Sequence, residues 1–310
     1  MFYELTSERK HLHGFLSADL KPVLYIKAGD TVAFQTLEAD WRIKDSDIRS
    51  SNDGIFLPDR REEDRGHALC GPIFIEGADP GKSLAVTVQS IQCGTWGWSR
   101  FGGGDPEHLR RCGFYGNEFF LHWTIDAKKK TCTSHLGHTI PLNPFMGIYT
   151  VAPPEGKTVT THIPAAYGGN IDCKEIGVGA TIYLPIFVKG GLFSTGDGHA
   201  AQGDGELSGT AIEAPIDRVE MKFQLNDFPL EYPICKTSTG WITFGFDSDL
   251  TEAAYKAIRS MANLISILFG MSYKEAIAIS SLTVDLRITQ LVNGVKGVHA
   301  FFPHNVLNKI

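Results

Sequence analysis

The chain has 310 residues, of which 43% are hydrophobic and 21% charged, a balance that supports a sizeable core and excludes wholesale disorder. Its length suits two ordinary domains or one large β-rich domain. The formal net charge is −6, which disfavours nucleic acid and anionic membrane surfaces as partners.

The N-terminal stretch MFYELTSERKHLHG has no basic segment leading into an apolar run, so no secretory signal is expected. The longest apolar-leaning stretch, Ala262 to Met271, is too short to cross a bilayer. Six cysteines, at 70, 93, 112, 132, 173 and 235, form no CxxC and have wide, irregular gaps. Reduced thiols and a cytoplasmic location are expected.

Taken in order, PVLYIKAGDTVAFQTLEAD alternates apolar and polar residues and predicts a hairpin turning at Ala28-Gly29-Asp30. Asp45 to Asp64 is polar, with Asn52-Asp53-Gly54 as a turn, and reads as a surface loop. GPIFIEGADPGKSLAVTVQSIQC predicts a second hairpin. TWGWSRFGGGDP reads as a glycine-rich loop, with Gly102-Gly103-Gly104 before Asp105 as a hinge. Trp96 and Trp98 share a face there and suit a core anchor or a pocket wall. A third two-armed unit joins ATIYLPIFVKGGLFS to ELSGTAIEAPIDRVEMKFQL.

Helix appears late. SDLTEAAYKAIRSMANLISILFG (248–270) has a Ser248 or Asp249 cap, Gly270 as a stop, and Ala254, Ile258, Met261, Ile265 and Leu268 at helical spacing. In MSYKEAIAISS, Ser272 and Glu275 form a capping box. SLTVDLRITQLVNG then reads as a closing strand. The predicted class is a β-rich α+β protein. Residues 1–247 carry the candidate site, and 248–310 supply the helical pair and closing strand, packed on the same domain.

The chemistry concentrates in GDGHAAQGDGE (196–206), which holds Asp197, His199, Asp204 and Glu206 among four glycines. Side chains two apart on an extended chain share a face, so Asp197 neighbours His199 and Asp204 neighbours Glu206. A turn at Ala200 to Gly203 would bring the two pairs together. Carboxylates that close repel unless protonated or neutralised by a cation, and a mixed nitrogen and oxygen set suits zinc, manganese or iron. The bland alternative is an acidic hairpin tip standing in water. GGNIDC (168–173) adds Asn170 and Asp172 at i and i+2, as a further ligand and a substrate-orienting amide or as a simple Asx turn. Glu76 ends an apolar strand and points into a site or into water. Glu213 alternates onto the face opposite Glu206 unless Gly209 introduces a bulge. Cys173-Lys174-Glu175 contains the residue types of a thiol amidase triad, but adjacent residues point apart. HLGH (135–138) has possible metal spacing in turn-like sequence.

Several stretches resemble the acetamidase/formamidase family: GPIFIEGADPG (71–81), APPEG (152–156), the long segment 168–215, and SLTVDLRITQLVNGVKGVHAFFP (281–303). Asp45–Asp64 and Thr95–Lys130 carry no such likeness, and substrate choice is expected to reside there. The resemblance implies a β-sandwich with a C-terminal helical pair that assembles as a homodimer or larger. It also implies hydrolysis of small carboxamides to a carboxylate and ammonia by metal-activated water. Within it, Asp172, Asp197 and His199 are expected to ligate a divalent metal, zinc ahead of calcium. Glu206 is expected as base and then acid, with Asp204 as its backup, and Asn170 as donor to the oxyanion. Glu76 and Glu213 are expected to orient these groups. A structural calcium site without catalysis and a Cys173 thiol amidase are the competing expectations.

Overall fold

The computed structural model describes residues 1–45, 47–102 and 106–307. Two β-sheets sandwich the main core. The larger has nine strands in the order Phe2–Leu5, Thr31–Thr36, Ile216–Asn226, Ser83–Cys93, Thr181–Pro185, Ile234–Lys236, Gly240–Asp247, Val295–Pro303, Asp285–Asn293. The smaller sheet runs Gly168–Asn170, Phe145–Thr150, Phe193–His199, Leu69–Glu76, Leu12–His13, with Leu24–Lys27 also pairing Leu69–Glu76. A four-stranded antiparallel meander, starting at Trp96–Phe101, stands beside them.

Alternation along Ile216–Asn226 turns Ile216, Val219, Met221 and Phe223 inward. Ile73, Ile148 and Phe193 meet them from the other sheet. The Phe193 ring lies 5.2 Å from Phe223 and 6.1 Å from Phe34, joining the two layers. Each such ring contributes about 1.5–3 kcal/mol by leaving water.

The expected hairpins are corrected. A tight turn does close at Lys27–Asp30, but Leu24–Lys27 joins the smaller sheet and Thr31–Thr36 the larger. Likewise Leu69–Glu76 and Ser83–Cys93 lie in different sheets, as do Phe193–His199 and Ile216–Asn226. Alternation specifies which face of a strand is buried, not which strand lies beside it.

Two loop expectations also change. Ile48 is fully buried against Trp96, Trp98 and Phe120. Asp64 is buried, accepts from Gly14 N at 2.7 Å and pairs with Arg61 at 2.9 Å, so 45–64 is anchored at both ends of its length; Ser46 lies outside the described residues. Trp96–Phe101 is a strand rather than a loop, and of the hinge expected at Gly102-Gly103-Gly104, Gly103 and Gly104 lie outside the described residues.

The helical pair comprises Leu250–Phe269 and Tyr273–Thr283. Asp249 caps the first, accepting from Thr251 and Glu252 N, and Gly270 closes it at φ 61°. Ser272 and Glu275 form the capping box. The buried stripe is Ala253, Ala257, Met261, Ala262 and Ile265, turned from the expected one so that small alanines face Val298 and Ala300. Among the described residues no single helix is long and apolar enough to cross a membrane. Asp285–Asn293 and Val295–Pro303 pair around Asn293-Gly294 and extend the nine-stranded sheet.

Candidate functional site

Phe193–His199 is buried on both faces. A Cβ on Gly198 would stand 2.2 Å from Ile216 Cγ1, so that face packs on the large sheet with no room for a side chain. The opposite face therefore carries Asp197 and His199. Glu213 enters from a segment bridged antiparallel to both His199 and Trp98. Asp172 and Asn170 arrive on the Gly168–Asn170 strand and its exit, and Glu206 from the loop after His199.

His199 stands at the centre. Its Nε2 lies 3.4 Å from Asp197 Oδ1 and 3.3 Å from Glu213 Oε2, and its Nδ1 lies 3.9 Å from Asp172 Oδ1. The Phe145 ring packs edge-on against the imidazole at 5.0 Å. Two groups of donor atoms result, each within 4.8 Å of one another: Asp197, His199 and Glu213, and Asp172, His199 and Glu206. The expected trio of Asp172, Asp197 and His199 is thus divided between the two sides of one imidazole. Asp172, Asp197 and Glu206 all have left-handed backbones, with φ of 54°, 58° and 46°. Such residues cost free energy and cluster where function over-determines them.

Asn170, Asp172, Asp197, His199, Glu206 and Glu213 are all buried. Among the described residues no lysine or arginine pairs with the four carboxylates; their ion-pair contacts are with His199 alone. Burial therefore acts on them with little relief. It pushes Glu206 well above the ordinary carboxylate range, helped by the charge of Asp172. Burial also raises Glu213 to about 8 and Asp172 to about 6, with Asp197 adding to both against the pull of His199. Burial opposes ionisation of Asp197 too, but the charges of His67 and His199 outweigh it and hold that carboxyl low. His199 is held well above the imidazole range because Glu213 and Asp197 outweigh its own burial.

The residues fit a cation. Asp172 Oδ1, His199 Nδ1, Glu206 Oε2, Glu213 Oε2 and Asn170 Oδ1 are buried without hydrogen-bond partners. Such atoms are costly unless a ligand satisfies them. Gly147 backs the cluster: a Cβ there would lie 2.5 Å from Asp197 Oδ2, 2.6 Å from Asp172 Oδ1 and 2.9 Å from His199 Cε1.

Asp197, Glu206, Glu213 and Asn170 line a cavity of about 350 Å³, with His67, His162, Trp98 and Arg100 among its other walls. Asp204 turns away to Lys174 Nζ at 3.0 Å, a third of its side chain exposed, because residues 200–212 form a loop rather than a hairpin. Glu76 is a mostly exposed strand end paired with Lys27 at 3.7 Å and is outside the cluster. Glu213, expected behind the site, faces His199 directly. Cys173 does not line the cavity, and burial pushes its thiol well above the usual range, which opposes a nucleophilic role.

Sequence reasoning overlooked several side chains. His67 and His162 form an edge-on pair, centroids 4.4 Å apart, at the cavity wall. Each is an isolated histidine in sequence, with no spacing to mark it. Asn293 donates to Asp172 Oδ2 at 2.5 Å and to Asn170 O at 3.1 Å; its Asn-Gly dipeptide signals only a turn. Trp98, by contrast, was expected as a core anchor or a pocket wall, and it serves as both. Its indole N–H donates to buried Glu38 at 2.5 Å, and its backbone exchanges two hydrogen bonds with Glu213.

The model of the Acetamidase/Formamidase family matches residues 3–157 and 155–236. The chain belongs to the acetamidase/formamidase family. It is similar to the formamidase of Methylophilus methylotrophus, 26% identical over 64% of this chain and 60% of the relative. Its fold matches an acetamidase of Bacillus halodurans with a TM-score of 0.85, 27% identity and 97% coverage of both chains. An acetamidase from Yersinia enterocolitica matches with a TM-score of 0.87 and 26% identity, over 100% of this chain and 94% of that one. The chain spans about three-fifths of the length of the curated relatives it matches first. These acetamidase/formamidase structures extend the likeness past residue 236 to the helical pair and closing strands.

Proposed function

We propose that this chain is an amidohydrolase that cleaves the C–N bond of a short carboxamide to give a carboxylate and ammonia. One observation carries this: a buried, cation-demanding cluster of four carboxylates and one imidazole opens into a cavity beside Glu206 and Asn170. Family membership supports it, as do the formamidase and acetamidase activities for which relatives are named.

Asp197, His199 and Glu213 would hold a divalent cation, with Asp172 on the far side of the imidazole orienting it. The roles expected of Asp172 and Glu213 are thereby exchanged. Mixed imidazole and carboxylate donors favour zinc over calcium, which prefers oxygen. Such an ion lowers the pKa of water to about 7 and polarises a carbonyl.

A bound cation would offset the burial that holds Glu206 protonated, and the ionised carboxylate, at the cavity wall, would take the proton from attacking water and deliver it to the departing nitrogen. The water oxygen bonds to the carbonyl carbon, the C–N bond breaks, and the nitrogen leaves as ammonia. Asn170 donates its amide to the developing oxyanion, a role worth roughly 3 kcal/mol. A homo-oligomeric assembly and a cytoplasmic location belong to the same proposal. The latter is supported by six free cysteines.

Ammonia release from formamide and acetamide, measured before and after chelation and after zinc is restored, tests this function. Turnover that persists through thorough chelation and through His199→Ala would overturn the metal mechanism. Absence of turnover on every short amide with zinc bound would overturn the amidase assignment.

A further inference from the structure

A second donor cluster lies outside this site. The Cys173 thiol is buried and lies 3.2 Å from Glu175 Oε2. His299 is fully buried, and its Nε2 lies 3.9 Å from the same oxygen. The three donor atoms are all within 4.8 Å of one another. Two neighbours aim them. Arg287 occupies the other Glu175 oxygen, Oε1, at 3.0 Å. Thr289 Oγ1 engages His299 Nδ1 at 2.8 Å. That leaves His299 Nε2 buried with no hydrogen-bond partner and directed at the cluster.

We propose that Cys173, Glu175 and His299 form a second, thiolate-containing site for a zinc-class divalent cation. Tetrahedral zinc, with sulfur at about 2.3 Å and nitrogen or oxygen at about 2.0–2.2 Å, sets its donors roughly 3.3–3.6 Å apart. The observed 3.2 and 3.9 Å separations need only small adjustment to that spacing. Thr289 fixes the imidazole through its other nitrogen, as outer partners do at metal-bound histidines. Sulfur, nitrogen and oxygen together select zinc-like ions over calcium or magnesium. A fourth position remains for water.

Coordination converts the thiol to a thiolate and releases its proton to solvent, so binding strengthens as pH rises. The consequence is mechanical. Cys173 follows Asp172 directly, and His299 belongs to Val295–Pro303, the strand paired with the one that sends Asn293 to Asp172. A cation here ties the segment bearing Asp172 to the end of the large sheet.

The test titrates metal-free full-length protein with Co²⁺ and follows the near-ultraviolet thiolate-to-cobalt charge-transfer band. The amidase site has only imidazole and carboxylate donors and gives no such band. The band is expected in the wild type and in Cys112→Ser, and absent in Cys173→Ser. X-ray absorption on zinc-loaded wild type, which depends on no variant, is expected to show a sulfur neighbour at about 2.3 Å. Loss of both signals from wild type, or a band that persists in Cys173→Ser, overturns the site. Either result leaves the amidase function standing, because that function is read from ammonia release.

Discussion

Gly147 gives the sharpest test of the site's geometry. It lies in Phe145–Thr150 with ordinary strand backbone, so alanine is conformationally allowed. The added methyl would stand 2.5 Å from Asp197 Oδ2 and 2.6 Å from Asp172 Oδ1. Ordinary contact begins near 3.4 Å, so each oxygen must retreat by about 0.8–0.9 Å. Displacement of about 1 Å in catalytic groups costs on the order of 100-fold, or about 2.7 kcal/mol in kcat/KM. Overpacking costs the fold about 1–3 kcal/mol, partly offset by the 0.5–1 kcal/mol that replacing a strand glycine returns. Gly147→Ala is therefore expected to stay folded, with Tm lowered by a few degrees, while ammonia release falls about 100-fold and bound metal declines. The assay pairs amide turnover with elemental analysis and a thermal melt. Wild-type turnover and metal content in a folded Gly147→Ala protein would refute the placement of the cation against this strand.

Glu206→Gln should lower kcat by about 10²–10⁴ with little change in KM, measured as steady-state ammonia release. Glu76→Gln should leave kcat/KM unchanged and stability within about 0.5 kcal/mol, since the side chain is largely exposed. Trp98→Phe removes the donor to buried Glu38 and should cost about 1–3 kcal/mol in denaturant unfolding. Stability should also depend on His13, whose burial lowers its pKa to about 4. The folded value lies below the unfolded 6.5, so the folded state favours neutral imidazole. Its contribution is complete above pH 6.5 and is lost as pH falls toward 4, on the order of 3 kcal/mol in all. Unfolding curves across that range, compared with His13→Asn, should isolate the slope.

How far the sequence speaks differs by level. The helical pair was legible to within two residues, because Asp249, Gly270 and the Ser272–Glu275 box are local hydrogen-bonding devices. The alternating strands were legible, but their partners were not, because pairing between sheets is decided by packing far along the chain. At the site, Asp197 and His199 follow from strand alternation alone. Glu206 reached the cluster by a loop of left-handed residues, which no periodicity reveals, and Asp204, two residues earlier, went to Lys174 instead. His67, His162 and Asn293 became visible only in three dimensions, since each depends on a contact between distant segments.

The contact between Asn293 and Asp172 also sets an order of events during synthesis. Asp172, Asp197, Glu206 and Glu213 leave the ribosome well before Asn293 does. For that interval the nascent chain carries its acids without the amide that steadies one of them. The pocket therefore matures only once synthesis has passed residue 293, and a product arrested shortly before that point would have most of the sandwich yet lack a finished centre.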